Sequence, residues 1–512
     1  MRNILLLNPK NYYTLQDFNY IHETLGVRSV CPQNALLTVA ALIPDEYNIK
    51  YLDENIEPLS DLHLDWADMV FITGILIQQD SMLDCMKQAK ARGLVVVAGG
   101  MQVASDFQKY FDFLDHVFIG ESEHTLPVFF DDLKKGTAKK VYQAADYVNM
   151  RMSPLPRFDL VDPKDYLMFS IQFSRGCPFN CHYCGLIHFY GRKVRSKTQT
   201  MILSEIQAIY NAGFRGEIYI GDDNFHQNDH DFLISVLGAI SEWQQQHGYP
   251  FKLFTQTDIN VAKFPKILDA MKKAGFYAVQ IGLESPSMES LKSVNKKWNE
   301  PTEVWEKIKA IYKAGIEVTP SIMIGLDGDP INISDLQFEF LCRLCTPRVM
   351  ISTLVVGKGT RFYNIMKEND RLIHAVNPSG DGNFPLNYRP LTSEAKVLED
   401  RNRLVGKLFS PDNYFLRAQR LLDHLGESFA YPFKRIDEQK VNKAIERFMD
   451  TTDPSSYHTH FLDFIRDVKL RSPEKMKKAL DLGIYGYQCY MTYKKAVLDS
   501  DLYLEKCHAS NN

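Results

Sequence analysis

The chain has 512 residues, 45% of them hydrophobic and 24% charged, with a formal net charge of −4. That length exceeds one ordinary domain, the mix excludes a disordered or fibrous chain, and the small net charge gives no global pull toward nucleic acid or an anionic membrane. No apolar run reaches the roughly 18–20 residues of a membrane span, and four apolar residues before Asn8-Pro9 are too few for a signal peptide. A cytoplasmic protein without a transmembrane segment is expected.

In the first part of the chain short apolar runs alternate with helical patterns. Ile4–Leu7, Ile49–Leu52, Met69–Thr73, Leu94–Ala98 and Val117–Ile119 read as buried parallel strands. Asn34–Ala41, Ser81–Ala91 and Leu126–Lys135 read as helices between them. Several strands run into small or turn residues, Asn8-Pro9, Asp53, Gly74, Gly99-Gly100 and Gly120-Glu121. This pattern predicts a doubly wound, Rossmann-like α/β domain over residues 1–145, with its ligand crevice at the carboxyl ends of the strands. Between Asn149 and Asp165, Pro154, Pro156 and Pro163 interrupt any regular element and mark a linker.

A second βα series occupies residues 146–368. Its strands are Met168–Phe173, Glu217–Ile220, Lys252–Thr257, Ala278–Leu283, Glu317–Ile324 and Val349–Val355, with helices such as Met201–Ala212, Phe264–Ala274 and Glu303–Ala314. Gly213, Gly275 and Gly315 follow those three helices at the position of a C-terminal cap. Six such units predict a (β/α)6 partial TIM barrel, whose chemistry belongs at the C-terminal ends of its strands. Pro378, Gly380, Gly382 and Pro385 mark a loop, after which Ser393–Leu408, Phe415–Leu425 and Glu438–Met449 predict a helical C-terminal extension, residues 369–512.

Nine cysteines are few for a chain of this length, so a disulfide framework is not expected. Three of them, Cys177, Cys181 and Cys184, stand in C-x₃-C-x₂-C spacing directly after a predicted strand. Thiolates at this density hold iron–sulfur clusters, and three leave one iron of a cubane free for another ligand. A zinc site wants four N/S donors, and the only other close pair, Cys342 and Cys345, lies far along the chain in a predicted helix. A thioredoxin-like pair would leave Cys177 without a role.

With Tyr183 as the aromatic before the last cysteine, this loop resembles the signature of the radical SAM superfamily. The resemblance implies a [4Fe–4S] cluster whose open iron is chelated by S-adenosylmethionine (SAM), with reductive cleavage to a 5′-deoxyadenosyl radical. It places Asp222 and Asp223, in the Gly221–Phe225 segment after the second barrel strand, and Glu284, in Gly282–Pro286, at SAM. Gln256, with Thr257, ends the third strand and Ser321 lies in the fifth; both are weaker candidates for SAM, on position alone. Arg192, Lys193, Arg195 and Lys197 form a basic run in which one guanidinium could meet the SAM carboxylate, a solvated face being the plainer reading. His182 is not needed as a ligand.

The segment Asp115–Glu123, preceded by Gly99-Gly100, resembles the cobalamin-binding domain fused ahead of many radical SAM enzymes, with Met101 where proline is common. An Asp-x-His-x-x-Gly motif is absent and His116 has the wrong spacing, so the resemblance implies cobalamin without a protein histidine ligand. Asn8, Gly74, Gly99, Gly100, Gly120 and Glu121 would line the corrin cleft. No G-x-G-x-x-G follows the first strand, which disfavours a dinucleotide.

The chain is most similar to the hopanoid C-2 methylase type of that family, through Pro154–Leu160, Gly191-Arg192, Asp222–Phe225 and Asn383-Phe384. It departs after the third cysteine, at Gly185–Tyr190. The implied activity is methyl transfer to an unactivated carbon of a small, possibly hydrophobic molecule, with an external reductant such as a flavodoxin or ferredoxin and no nucleic acid. A non-methylating radical cyclisation, rearrangement or oxidation, and a cobalamin- or cluster-based sensor without turnover, are the alternatives.

Overall fold

The computed structural model describes residues 2–11, 18–373, 386–430 and 437–510, with side chains to residue 501. The predicted loop marked by Pro378, Gly380, Gly382 and Pro385, with Asn383 and Phe384, lies outside the described residues.

Six strands form the first sheet: β1 (Asn3–Asn8), β2 (Asn48–Asp53), β3 (Met69–Ile72), β4 (Val95–Ala98), β5 (His116–Ile119) and β6 (Val141–Gln143). Their order is 2-1-3-4-5-6, and every pairing is parallel. Both faces are covered, which is why the inner strands β1, β3, β4 and β5 are mostly apolar runs, while the edge strands β2 and β6 carry polar and exposed residues. Leu5, Leu7, Val70 and Ile72 pack into one core, while Ile4, Leu6, Met69 and Phe71 face the other, with Phe129 and Phe130 from the helix Ser122–Lys135. β6 is short and half exposed, and no run in the sequence announces it.

The proline-rich linker contains three single 3₁₀ turns, Met150–Met152, Phe158–Leu160 and Pro163–Asp165, and returns to the first part of the chain where Ser29 bridges Tyr166. β7 (Met168–Ile171) then opens the second sheet. A small hairpin of β8 (Ser174–Arg175) and β9 (Arg195–Ser196) brackets the cysteine loop. β10 (Glu217–Ile220), β11 (Lys252–Thr257), β12 (Phe276–Glu284), β13 (Glu317–Ile324) and β14 (Met350–Thr353) follow, in the order 14-13-12-11-10-7, again all parallel. Six strands in that order make the half-barrel. Cys342 lies in the helix Ile333–Arg343 as expected, but Cys345 falls beyond its end with a left-handed φ of 55°.

Five helices close the chain: Glu394–Phe409, Pro411–His424, Glu438–Thr451, Ser456–Arg471 and the 35-residue Met476–Ser510. Their apolar faces join the barrel core in one continuous cluster, which includes Leu404, Leu421, Phe461 and Tyr487. No helix is long and apolar enough to cross a membrane among the described residues.

Candidate active site

The cysteine loop runs from β8 to the short helix Leu186–Tyr190. Gly176 has φ +103°, and a Cβ there would collide with the Lys193 carbonyl, so the turn into Cys177 needs glycine. The Asp222 carboxylate anchors the start of the loop. It is fully buried and accepts from the Phe173 N–H (2.7 Å), the Ser174 N–H (3.1 Å), the Ser174 hydroxyl (2.6 Å) and the Asn228 amide (3.2 Å). With four donors in place, Asp222 shapes the loop. Asp223, one residue on, accepts the Gly176 N–H at 2.6 Å, and burial pushes its pKa up to about 7.

The middle of the loop is held from the far side of the barrel. Tyr183 donates its hydroxyl to Glu284 Oε1 at 2.8 Å, and Lys296 Nζ reaches the same oxygen at 2.6 Å. Burial alone would lower the Lys296 pKa, and the adjacent Glu284 raises it above the ordinary value. Glu284 Oε2 is buried and has no hydrogen-bond partner among the described residues. At the tip, Phe179 stacks on Trp298 at 4.3 Å, and Asn295 donates to the Asn180 carbonyl at 2.8 Å. His182 is tied by its backbone to Val294 and Phe362. Lys296 and Trp298 carry no sequence motif, and they emerge only from the fold.

All three loop cysteines are free and partly buried. Burial raises the Cys177 and Cys181 thiols to about 11, and raises that of Cys184. Against burial, the Phe179 N–H and the Asn224 side chain favour the thiolate of Cys177, and the N–H groups of Leu186 and Ile187 that of Cys184. Hydrogen bonds to cysteine sulfur are what tune a cluster held by thiolates, so the donor set fits an iron–sulfur group. Among the described residues no set of His, Cys, Asp and Glu is gathered tightly enough to hold a single metal ion.

A cavity of about 370 Å³ lies between the carboxyl ends of the two sheets. Gly74, Gly99, Gly100, Gly120 and Glu121 border it from the first sheet, Arg175 and Tyr190 from the segment that carries the cysteines, and Asp223 and Gln256 from the second sheet. A further hollow of about 490 Å³ adjoins it, sharing Met101, Gly120, Glu121 and Phe189. Gly100 has φ +86°, and a Cβ there would collide with the Thr73 hydroxyl, so this turn at the cavity wall needs glycine. Among the described residues no histidine lines the cleft shared by the two sheets, while His188 borders the adjoining hollow; His116 sits at the amino end of β5, bonded to the Lys139 carbonyl at 2.6 Å. Four expected residues lie off the cavity wall, among them Asp222, which is spent on the start of the cysteine loop. Asn8 is buried and accepts from Gln78 at 3.1 Å, Glu284 serves the cysteine loop, and Ser321 lies in β13.

Glu121 does more than border the cavity. Its side chain and that of Glu123 are only 2% and 4% exposed, and both meet Arg175, at 2.7 and 2.8 Å. Arg195 closes the other side of Glu121 at 3.0 Å and reaches the Tyr190 carbonyl at 2.9 Å. This network ties the first sheet to the strands bracketing the cysteines. The basic run therefore divides: Arg195 joins the sheets, Lys197 pairs with buried Glu205, Arg192 donates to the Pro178 carbonyl at 2.7 Å, and Lys193 is exposed.

A model of the radical SAM superfamily matches residues 171–336, and a model of a domain of unknown function, DUF4070, matches residues 360–501. A methyltransferase of Synechocystis sp. whose role is uncharacterized is 30% identical over 425 residues, covering 82% of this chain and 79% of its own. The hopanoid C-2 methylase of Rhodopseudomonas palustris is 30% identical over 389 residues, covering 75% and 74%. Among solved structures, the radical SAM methyltransferase TsrM from Kitasatospora setae, with cobalamin and a [4Fe-4S] cluster bound, aligns with a TM-score of 0.56 at 15% identity, over 88% of this chain and 89% of that one. That likeness is one of fold.

Proposed function

The chain belongs to the cobalamin-dependent radical SAM family of the hopanoid C-2 methylase type, and from that premise we propose that it methylates an unactivated carbon of a small molecule in the cleft between its sheets. The observation that carries this reading is the shared cavity, where glycine-rich strand ends face the cysteine loop across about 370 Å³. When bound, the [4Fe–4S] cluster and SAM supply hydrogen abstraction from carbon, and cobalamin supplies the methyl group.

The chain's own residues hold and shield that chemistry. Cys177, Cys181 and Cys184 would ligate the cluster. Asp222 and the Tyr183–Glu284–Lys296 contact fix the loop that carries them. Asp223 and Gln256, on the cavity wall, and the unpartnered Oε2 of Glu284 are the groups we assign to SAM. Gly74, Gly99, Gly100 and Gly120 leave the flat space that a corrin needs. Arg175 and Arg195 hold the first sheet in register with the loop through Glu121 and Glu123, and Leu186, Phe189 and Tyr190 screen the cleft from water. No general base is assigned, because hydrogen-atom abstraction requires none. An external one-electron donor of the flavodoxin or ferredoxin type and a cytoplasmic setting, where a reduced cluster survives, complete the proposal.

The test is anaerobic reconstitution with iron, sulfide and cobalamin, followed by SAM carrying a labelled methyl group and a strong reductant. Formation of 5′-deoxyadenosine, with label passing to an acceptor from cell extract, is expected. Label-free product would redirect the assignment to a non-methylating radical reaction. A fully loaded enzyme that leaves SAM intact would overturn it.

A further inference from the structure

The chain is slightly acidic as a whole, with a formal net charge of −4, yet one part of its surface is basic. The cysteine loop comes to the surface at its tip, where Pro178 and Phe179 are half-buried and Asn180 is exposed. Three segments hold that loop from outside, and each brings cations beside it. Arg192 donates to the Pro178 carbonyl at 2.7 Å, and the carbonyl of its neighbour Lys193 lies against Gly176. Lys292 and Lys297 flank the stretch whose Val294, Asn295 and Trp298 meet His182, Asn180 and Phe179. Arg361 precedes Phe362, whose N–H donates to the His182 carbonyl at 2.8 Å. All five cationic residues are exposed.

Their charge is barely compensated. Among the described residues the one carboxylate paired with any of the five is Glu289, 3.7 Å from Lys292, and Lys193, Lys297 and Arg361 make no ion pair. A patch of one sign is a field that attracts a partner of the other sign. At its middle Phe179 and Trp298 stack at 4.3 Å with an interplanar angle of 14°, and both are partly exposed. An aromatic centre inside a charged rim is the layout of a protein-docking patch. None of these residues lines the cavity between the sheets or the hollow beside it. The patch therefore meets the loop from outside the cleft.

We infer that this patch docks a small acidic protein that carries a single electron, and that the electron passes to the cluster through the tip of the loop. One electron leaves the donor and enters the cluster, and no bond or proton changes hands. Redox encounters bury little area and are steered by charge, so a rim of cations around an aromatic centre suffices for one. Entry from outside leaves the cleft closed to water during reduction. This rests on the cluster-bearing half of the proposed function and adds to it the surface and the charge that select the reductant.

The test follows reduction of the reconstituted full chain by EPR of rapidly frozen samples, with two reductants. One is reduced flavodoxin, an acidic flavin protein. The other is reduced methyl viologen, a small cation that needs no docking and that a change from cation to carboxylate does not repel. In Lys193→Glu/Lys297→Glu/Arg361→Glu, reduction by flavodoxin should slow by about tenfold or more, while reduction by methyl viologen is not slowed. In the unaltered chain the flavodoxin rate should fall by about tenfold between roughly 0.05 and 0.5 M salt. Lys440→Glu/Lys443→Glu, on the helix Glu438–Thr451 that packs on the last helix, reverses charge elsewhere and should leave the flavodoxin rate within about twofold. A flavodoxin rate unchanged by the triple reversal, an equal loss in the control pair, or an equal loss with methyl viologen overturns the assignment, as does a loaded chain that flavodoxin leaves oxidised. If flavodoxin reduces the cluster through this patch and SAM is still never cleaved, the methyl-transfer proposal falls and the docking surface stands.

Discussion

The two sheets are built alike, six parallel strands each, yet their carboxyl edges do opposite things. The first ends in glycines and provides space: nothing projects from Gly74, Gly99, Gly100 or Gly120. The second ends in carboxylates that are already engaged: Asp222 takes four hydrogen bonds, Glu284 takes Tyr183 and Lys296, and Asp329 takes Ser290 with two backbone N–H groups. One edge works by absence of side chain and the other by preorganised polar groups. The difference teaches how one fold pattern serves two kinds of ligand, a flat bulky one that needs clearance and a cluster loop that needs fixed geometry.

This division can be broken from either edge. The largest effect is expected from Cys181→Ala, where removal of one of three thiolates should abolish cluster absorbance after reconstitution and reduce SAM cleavage below detection. Next, Gly100→Val forces a branched residue into a left-handed conformation and against Thr73. Cobalamin affinity should fall by about a hundredfold in equilibrium dialysis, while cleavage of SAM persists. If both activities fell together, the two edges would not be separable. Lys296→Met leaves Glu284 buried without its countercharge and should cost about 3–5 kcal/mol in urea unfolding of the barrel transition.

A smaller effect is expected from Asp329→Asn. Burial raises the Asp329 pKa to about 6, so the folded state holds this proton more tightly than the unfolded state does. Its contribution is fully present below the unfolded value near 3.8 and is lost as pH rises through about 6. The melting temperature of the variant should therefore gain on that of the unaltered protein between pH 5 and pH 7, by an amount equivalent to about 1–2 kcal/mol. Arg195→Lys should do least, weakening cobalamin binding by about threefold, since an ammonium retains charge but loses the forked contact.

Local periodicity made the strands legible: buried parallel strands are nearly continuous apolar runs, and eight of the twelve main-sheet strands coincide closely with predicted runs, while β7, β12 and β14 shift at their ends by one or two residues. β6 escaped because three residues, one buried Tyr142 between two exposed neighbours, are too few to show a period. The cysteine spacing was legible because ligands to one cluster must lie close along the chain. The groups that hold the loop were not, since Lys296 and Trp298 lie more than a hundred residues beyond it and each looks like an ordinary surface residue in sequence. Glu121 was visible as a residue of the cleft, yet its partners Arg175 and Arg195 come from another sheet. A charge run has no direction until folding divides it among partners, which is why Arg192, Lys193, Arg195 and Lys197 read as one feature, yet three of them take separate partners and Lys193 stays exposed.

The final helix, finally, sets an order on biosynthesis. Lys478 and Asp481 neutralise the base of the barrel at Glu317 and Arg348, and Tyr493 bonds the β14 backbone at Ile351. Yet β14 leaves the ribosome more than a hundred residues before that helix does. A nascent chain thus carries all three loop cysteines and every barrel strand while its underside is still wet, and a premature stop late in the message would yield a protein with its cluster loop written out in full and no keel to close the hull.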